Sequence, residues 1–288
     1  MKHPRKHIEE VFHGIFLGCG LLSVFFVLGI SAYLIISGVP AIKEIGLVDF
    51  MLGQLWSPSQ GQFGILPFIL TSLYGTAGAI LIGVPLGLLA ALFLSKYAGP
   101  KTSRIIRSSV ELLAGIPSVV YGLVGMIVLV PAVQNAFSLS SGATLLAAII
   151  VLAIMILPYI VNVSATALDA VPQEYEEGSL ALGATKTETY FRVSLRTARS
   201  GIAAGIVQGV GRALGEAMAI IMVAGNVANM PHIFGSVRFL TTAIVGEMSY
   251  ASYGSLHRDA LFSIGLILFI LIVLINVVLN LIVRKEEK

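Results

Sequence analysis

The run GVGRALGEAMAIIMVAGN, beginning at Gly209, sets Arg212 and Glu216 four residues apart in an otherwise apolar stretch. On a helix that spacing puts both side chains on one face, close enough to pair. A charge near mid-bilayer costs roughly 2.5–3.5 kcal/mol on insertion scales, so such groups turn away from lipid. Two roles fit the pair: an ion pair that fixes helix packing, or part of a polar stripe along a translocation path. Gln208 and Asn226 extend the polarity, and Gly209, Gly211 and Gly215 leave room beside it, which favours the path. The planar fork of arginine donates two parallel hydrogen bonds and suits a tetrahedral oxyanion. Glu216 would hold the guanidinium in place, and its own charge would keep anion binding weak enough for release.

A second group of chemically able residues lies in the polar stretch Val171 to Ile202, VPQEYEEGSLALGATKTETYFRVSLRTARSGI. It reads as two short amphipathic helices broken at Gly183, where a residue without a Cβ permits a sharp reversal. Leu180, Leu182, Val193 and Leu195 have nothing in the chain's own cytoplasmic mass to pack on, so the loop should dock on a partner protein. Glu174, Glu176, Glu177 and Glu188, taken alone, read as solvated charges. The nearest approach to a phosphate-binding loop is GSLALGATKT from Gly178, where Ala184 occupies the position that must be lysine. No nucleotide site is therefore encoded, and no cofactor is expected in this chain. His3, His7, His13, His232 and His257 lack metal-ligand spacing. The lone Cys19 excludes disulfides and cysteine-rich metal sites. No catalytic triad or paired-carboxylate arrangement is recognisable.

The elements that must position these residues are membrane helices. The chain is 57% hydrophobic and 11% charged, with a mean hydropathy of +0.94, far outside the range of soluble globular domains. Spanning the hydrocarbon takes about 20 apolar residues, and six segments qualify: 13–36, 66–94, 109–133, 143–167, 201–224 and 260–283. The expected architecture is an all-α membrane protein, a single integral domain over residues 1–288 with a cytoplasmic loop at 171–200. Fourteen of the eighteen lysines and arginines fall in the N-terminal, second, fourth and C-terminal cytoplasmic segments. Only Lys43, Arg238 and Arg258 fall outside, which puts both termini in the cytoplasm. The net charge of +3 reflects this asymmetry and gives no support to nucleic-acid binding. The N-terminal KHPRK and its apolar run read as an uncleaved first helix, because no A-x-A site follows.

Several residues carry bland expectations. Trp56 reads as an interface anchor. Glu111 is expected to open the third helix, where the dipole favours a carboxylate. The basic run Lys101, Arg104 and Arg107 is expected to meet anionic lipid headgroups. Thr71, Ser72, Tyr74 and Thr76 are expected to bond neighbouring backbone more readily than to line a path. Gly75, Gly78, Gly83 and Gly87 permit close helix contact, and Pro85, Pro117, Pro131 and Pro158 should each bend a helix.

Five blocks together resemble the PstC-type permeases of bacterial phosphate ABC transporters: the loop above, GRALGEAMAIIMVAGN, WSPSQGQFGILPFILTSLYGT from Trp56, GVPLGLLAALFLSKY from Gly83 and ELLAGIPSVVYGLVG from Glu111. In the loop Glu177, Gly178 and Ser179 stand for the family's E-A-A, Gly183 is its glycine, and Val193 and Leu195 form its hydrophobic end. Arg196 stands where the family usually has proline, and Ala217 where it commonly has threonine. The resemblance spans nearly the whole chain. It implies the type I ABC importer permease fold with six spans. It also implies a substrate pathway past Arg212, Glu216 and Gln208, and an ATPase contact through Glu177, Gly178, Ser179, Ala181, Gly183 and Ala184. Implied partners are a PstA-like permease, a PstB-like ATPase dimer that binds and hydrolyses ATP with magnesium, and a PstS-like phosphate-binding protein, periplasmic or lipid-anchored, with inorganic phosphate as solute. The residues alone leave open the PstA-type sister, a permease for sulfate or molybdate, and a secondary anion carrier with Glu216 as proton relay. The absence of a recognisable inverted repeat and the partner-seeking loop weigh against the carrier.

Overall fold

A computed structural model describes the backbone of residues 4–286 and the side chains of residues 9–281. The expectations placed on Lys2, His3, Arg5, Lys6, His7, Arg284, Lys285 and Lys288 lie outside the described side chains. Among the described residues five helices are long and apolar enough to cross a membrane: Glu9–Ile45, Leu66–Tyr97, Ser118–Ala136, Leu145–Asp169 and Leu256–Leu281.

The first helix, α1 (Pro4–Ile45), runs well beyond the predicted 13–36 and carries Pro40 inside it. Its last turns are held by the final helix, where the Ser263 hydroxyl donates to the Gly38 carbonyl at 2.5 Å. A short helix, α2 (Leu47–Leu52), and a hairpin of β1 (Trp56–Ser57) and β2 (Gln62–Phe63) fill the first outer connection. The hairpin pairs Trp56 with Phe63.

Helix α3 (Leu66–Leu92) continues through a π turn at Phe93–Tyr97. It packs along α7 (Leu145–Asp169), the most buried helix of the bundle, whose Leu152, Ile156 and Ile160 are fully enclosed. The glycines of α3 make that approach possible. A Cβ at Gly78, Gly83 or Gly87 would lie 2.7 Å from Ile149, Ile156 or Ile160 respectively, closer than any carbon contact allows.

The predicted third span, 109–133, is not one helix. An amphipathic helix α4 (Pro100–Gly115) ends first, and α5 (Ser118–Val124), a π turn at Gly125–Leu129 and α6 (Val130–Ala136) follow. Pro117 supplies the break: the residue before a proline is pushed out of the helical region, and Ile116 is extended at φ −69°, ψ 129°. Glu111 therefore lies in the last turns of α4 and opens no helix, so the expected dipole role does not apply.

After α7 the cytoplasmic loop forms α8 (Gln173–Ala181), α9 (Lys186–Thr189), a π turn at Tyr190–Ser194 and α10 (Leu195–Thr197). The predicted fifth span, 201–224, divides into α11 (Arg199–Gly215) and α12 (Met218–Val223). A short outer helix, α13 (Leu240–Glu247), precedes the last, α14 (Leu256–Glu286).

The outer layer is pinned by Glu247, a carboxylate the sequence reading passed over. Its side chain is 8% exposed and pairs with Arg238, 20% exposed. It also accepts from Trp56 Nε1 at 3.0 Å and meets His257 Nε2 at 2.8 Å. Trp56 is thus a structural pillar between the hairpin and α13, not a free interface anchor, and its ring packs on Phe63, Phe68 and His257. Burial, and then the Glu247 charge, push the nearby Tyr250 phenol above its ordinary value. Removing one partner of a buried ion pair costs about 3 kcal/mol, because the other charge is left uncompensated. Glu247→Ala is expected to lower thermal stability in detergent by that order, and an unchanged midpoint would show that the cluster contributes nothing.

Candidate functional site

The break between α11 and α12 falls on the Arg212–Glu216 pair. Gly215 closes α11, and Glu216 is extended at φ −74°, ψ 128°. The sequence expectation was an uninterrupted helix carrying both groups on one face. The pair does form, with Arg212 Nη2 at 3.2 Å from Glu216 Oε2. The carboxylate reaches across the break, however, and its Oε1 accepts from the Ala219 backbone N–H at 3.1 Å. A carboxylate there satisfies one of the orphan donors that every helix start carries. The Glu216 carbonyl, cut off from a helical partner, accepts from the Thr241 hydroxyl at 2.7 Å. The start of α13 is tied to α3 in turn, the Leu240 N–H donating to Ser72 Oγ at 3.0 Å.

Glu216 and Arg212 differ in access. The Glu216 side chain is 4% exposed and that of Arg212 is 39% exposed. Arg212 belongs to a stripe of α11, with Ala204, Gln208 and Gly215, that stays exposed among the described residues. A half-open guanidinium with a buried counter-charge is an electropositive contact held in fixed orientation, able to meet an oxyanion transiently. The glycines play different parts from those expected of them as a set. Gly211 and Gly215 face open space, whereas Gly209 packs on Ile160, where a Cβ would sit 3.2 Å from that side chain. Asn226 does not extend the polar stripe. Its backbone is left-handed at φ 57°, its side-chain amide donates to the Ile221 carbonyl at 2.6 Å, and its backbone carbonyl accepts from Arg238 Nε. Thr71, Ser72 and Thr76 are buried, while Tyr74 is exposed.

The cytoplasmic loop turns at Gly183, where φ is +90°. The Gly183 N–H donates to the Leu180 carbonyl at 3.0 Å and the Ala184 N–H to the Ser179 carbonyl at 3.3 Å. These two bonds are the Schellman closure of α8, which needs a left-handed residue at its corner. The following helix opens with a capping box. Thr185 Oγ1 accepts from the Glu188 N–H at 3.3 Å, and Glu188 Oε2 accepts from the Thr185 N–H at 3.0 Å. The Thr185 N–H and then its hydroxyl, both donating to Glu188 Oε2 at 3.0 Å, hold the Glu188 carboxyl below its usual range, so its cap is at full strength above the ordinary glutamate value and fades as pH falls through the lowered one.

Glu177, Gly178, Ala181 and Gly183 are exposed, Ala184 is half-buried, and the half-buried Ser179 hydroxyl meets that of Thr189 at 3.0 Å. Among the apolar residues Leu182 is 91% exposed and Leu180 39%. Leu195, expected to lack a partner, packs instead against the buried cluster that includes Leu92, Leu168 and Ile202, and Val193 is half-buried. Glu176 corrects the reading that grouped it with solvated glutamates. It points inward and pairs with Lys96 at 2.6 Å.

The family described as "Binding-protein-dependent transport system inner membrane component" matches residues 83–287. The chain is 36% identical over 262 residues to the "Probable ABC transporter permease protein YqgH" of Bacillus subtilis (strain 168), covering 89% of this chain and 85% of that one. It is 32% identical to the "Phosphate transport system permease protein PstC" of Mesorhizobium japonicum, with 93% and 87% covered. A protein of the same name from Haemophilus influenzae is also 32% identical, with 98% and 95% covered. Among solved structures, a chain of a bacterial alginate ABC transporter in complex with its alginate pentasaccharide-bound periplasmic protein superposes with a TM-score of 0.66 at 18% identity, over 97% of this chain and 98% of that one. A chain of the MetNI methionine ABC transporter in an inward-facing conformation gives 0.62 at 20% identity, over 81% and 99%. At such identities the likeness to the solved structures speaks for the fold alone.

Proposed function

This chain belongs to the family of inner-membrane components of binding-protein-dependent transport systems, and on that premise we propose that it is the PstC-type permease subunit of an ATP-driven importer of inorganic phosphate. It is a multi-pass bacterial inner-membrane protein and a transporter subunit, not an enzyme; separate ATPase subunits hydrolyse the nucleotide. The observation that carries the phosphate assignment is the similarity, over nearly the whole of both chains, to relatives named as phosphate permeases. The exposed Arg212 fork beside a buried Glu216 supports an oxyanion on physical grounds.

In this reading the chain forms half of a pathway with a PstA-like permease. A PstB-like ATPase dimer, holding ATP and magnesium, grips each permease at its cytoplasmic loop, and a PstS-like protein delivers phosphate to the outer face. Glu177, Gly178, Ser179, Ala181, Gly183 and Ala184 form the gripped surface, with Leu182 as the apolar contact that water would otherwise meet. Closure of the ATPase pair moves α8 and α9, and the membrane helices rock between inward and outward openings, a two-state element biased by nucleotide. Released phosphate meets Arg212 and Gln208 in passing, and the Glu216 charge keeps that contact brief. The test is reconstitution in liposomes with the three partner subunits. Phosphate accumulation driven by ATP hydrolysis is expected. Accumulation by this chain without an ATPase would overturn the reading.

A further inference from the structure

Two π turns face each other at the cytoplasmic end of the bundle. One closes α3, with the Ala98 N–H donating to the Phe93 carbonyl five residues back at 2.8 Å. The other, Tyr190–Ser194, closes the loop helix α9, with the Leu195 N–H donating to the Tyr190 carbonyl. The extra residue in each turn re-aims the side chains around it. Tyr97 and Tyr190 meet edge to face with ring centroids 5.2 Å apart, and the Tyr97 hydroxyl donates to Thr187 Oγ1 at 3.2 Å. Between the turns sits Glu176 of α8. One of its oxygens accepts from Lys96 Nζ at 2.6 Å and from the Ser194 hydroxyl at 2.8 Å.

Lys96 and Glu176 are 11% and 16% exposed, and Ser194 is fully buried. Surface ion pairs are worth little because water competes for them; this one is largely screened from water and shares its acceptor with a hydroxyl. The adjacent glutamates thus divide: Glu177 faces out, where a partner can reach it, and Glu176 faces in, toward a membrane helix. A π turn differs from an α turn by one residue of register, so an element built from two of them has discrete alternatives, as a coupling element requires. The helix it ends, α3, is keyed to α7 through Gly83 and Gly87.

We propose that Lys96, acting through Glu176, is the positioning residue that ties the cytoplasmic loop to α3, so that movement of the loop is delivered to the membrane bundle. The proposal rests on the importer reading above and adds to it the place where force crosses from loop to helix. It is tested on the reconstituted complex by measuring phosphate uptake and ATP hydrolysis together, for wild type, Lys96→Ala, Ser194→Ala and the double exchange Lys96→Glu/Glu176→Lys. Lys96→Ala is expected to assemble with the ATPase and to cut uptake per ATP at least ten-fold. Ser194→Ala, which removes one of the two donors, is expected to cut it a few-fold. The exchange is expected to recover most of the loss, since the Ser194 hydroxyl can accept from a lysine as readily as it donates to a glutamate. Unchanged uptake per ATP in Lys96→Ala would overturn the proposal. Loss of assembly in Lys96→Ala together with no recovery in the exchange would reduce the pair to a brace and overturn it equally. A wild-type complex whose uptake does not follow ATP hydrolysis would sink the importer reading itself, an outcome distinct from both.

Discussion

Arg212→Ala is expected to lower ATP-driven phosphate uptake by about 100-fold while the complex still assembles. A hydrogen bond to a charged group is worth about 1.5–3 kcal/mol, and each 1.36 kcal/mol is a decade in rate. The difficulty is that alanine also leaves the buried Glu216 without its counter-ion. Two of the bonds at Glu216 survive the substitution, from the Ala219 N–H and the Thr241 hydroxyl, so the break between α11 and α12 keeps its shape. The double variant Arg212→Ala/Glu216→Gln separates the roles, because the amide oxygen can still accept from the Ala219 N–H while the charge is gone. If the pair only fixes packing, removing both charges relieves the uncompensated charge and restores uptake. If Arg212 meets the passing anion, the double variant stays as inactive as the single one. Normal uptake in Arg212→Ala would end the pathway reading.

How much of this was legible in the sequence depends on what hydropathy measures. It counts apolar length, and α3, α7 and α14 are long apolar runs whose interruptions are harmless, so all three could be placed. It does not register backbone continuity. Pro117 and Glu216 lie inside equally apolar segments, yet each ends a helix: one by the geometry it imposes on Ile116, the other by spending its carboxylate on the next helix start. The pair Gly215–Glu216 was the available signal, a poor helix former followed by a carboxylate that the dipole favours near a helix start. The break at Gly183 was readable because glycine between two polar helices has few other uses. Glu247 was not. Its partner Trp56 is 191 residues away in sequence, and no local pattern announces a contact of that range. Glu176 failed for a related reason, since nothing in QEYEEGS distinguishes the glutamate that turns inward from its neighbours until Lys96 is brought to it.

Gly183→Val is expected to uncouple ATP hydrolysis from uptake, with uptake per ATP falling by at least ten-fold and membrane insertion unaffected. The effect is one of backbone, not of space. A Cβ at Gly183 would meet nothing within 4 Å, so no clash arises. But φ is +90°, a region that a β-branched residue enters only at a cost of about 1–3 kcal/mol. The loop can relieve that strain only by opening the Schellman closure, which frees the Leu180 and Ser179 carbonyls and swings α9 relative to α8. The surface from Glu177 to Ala184 would then no longer be presented as one rigid piece. Gly183→Asn provides the graded comparison, because asparagine tolerates left-handed backbone far better than valine. It is expected to keep most of the coupling. Equal loss in both variants would point to a contact made by the glycine surface itself, and full coupling in the valine variant would show that the corner carries no force.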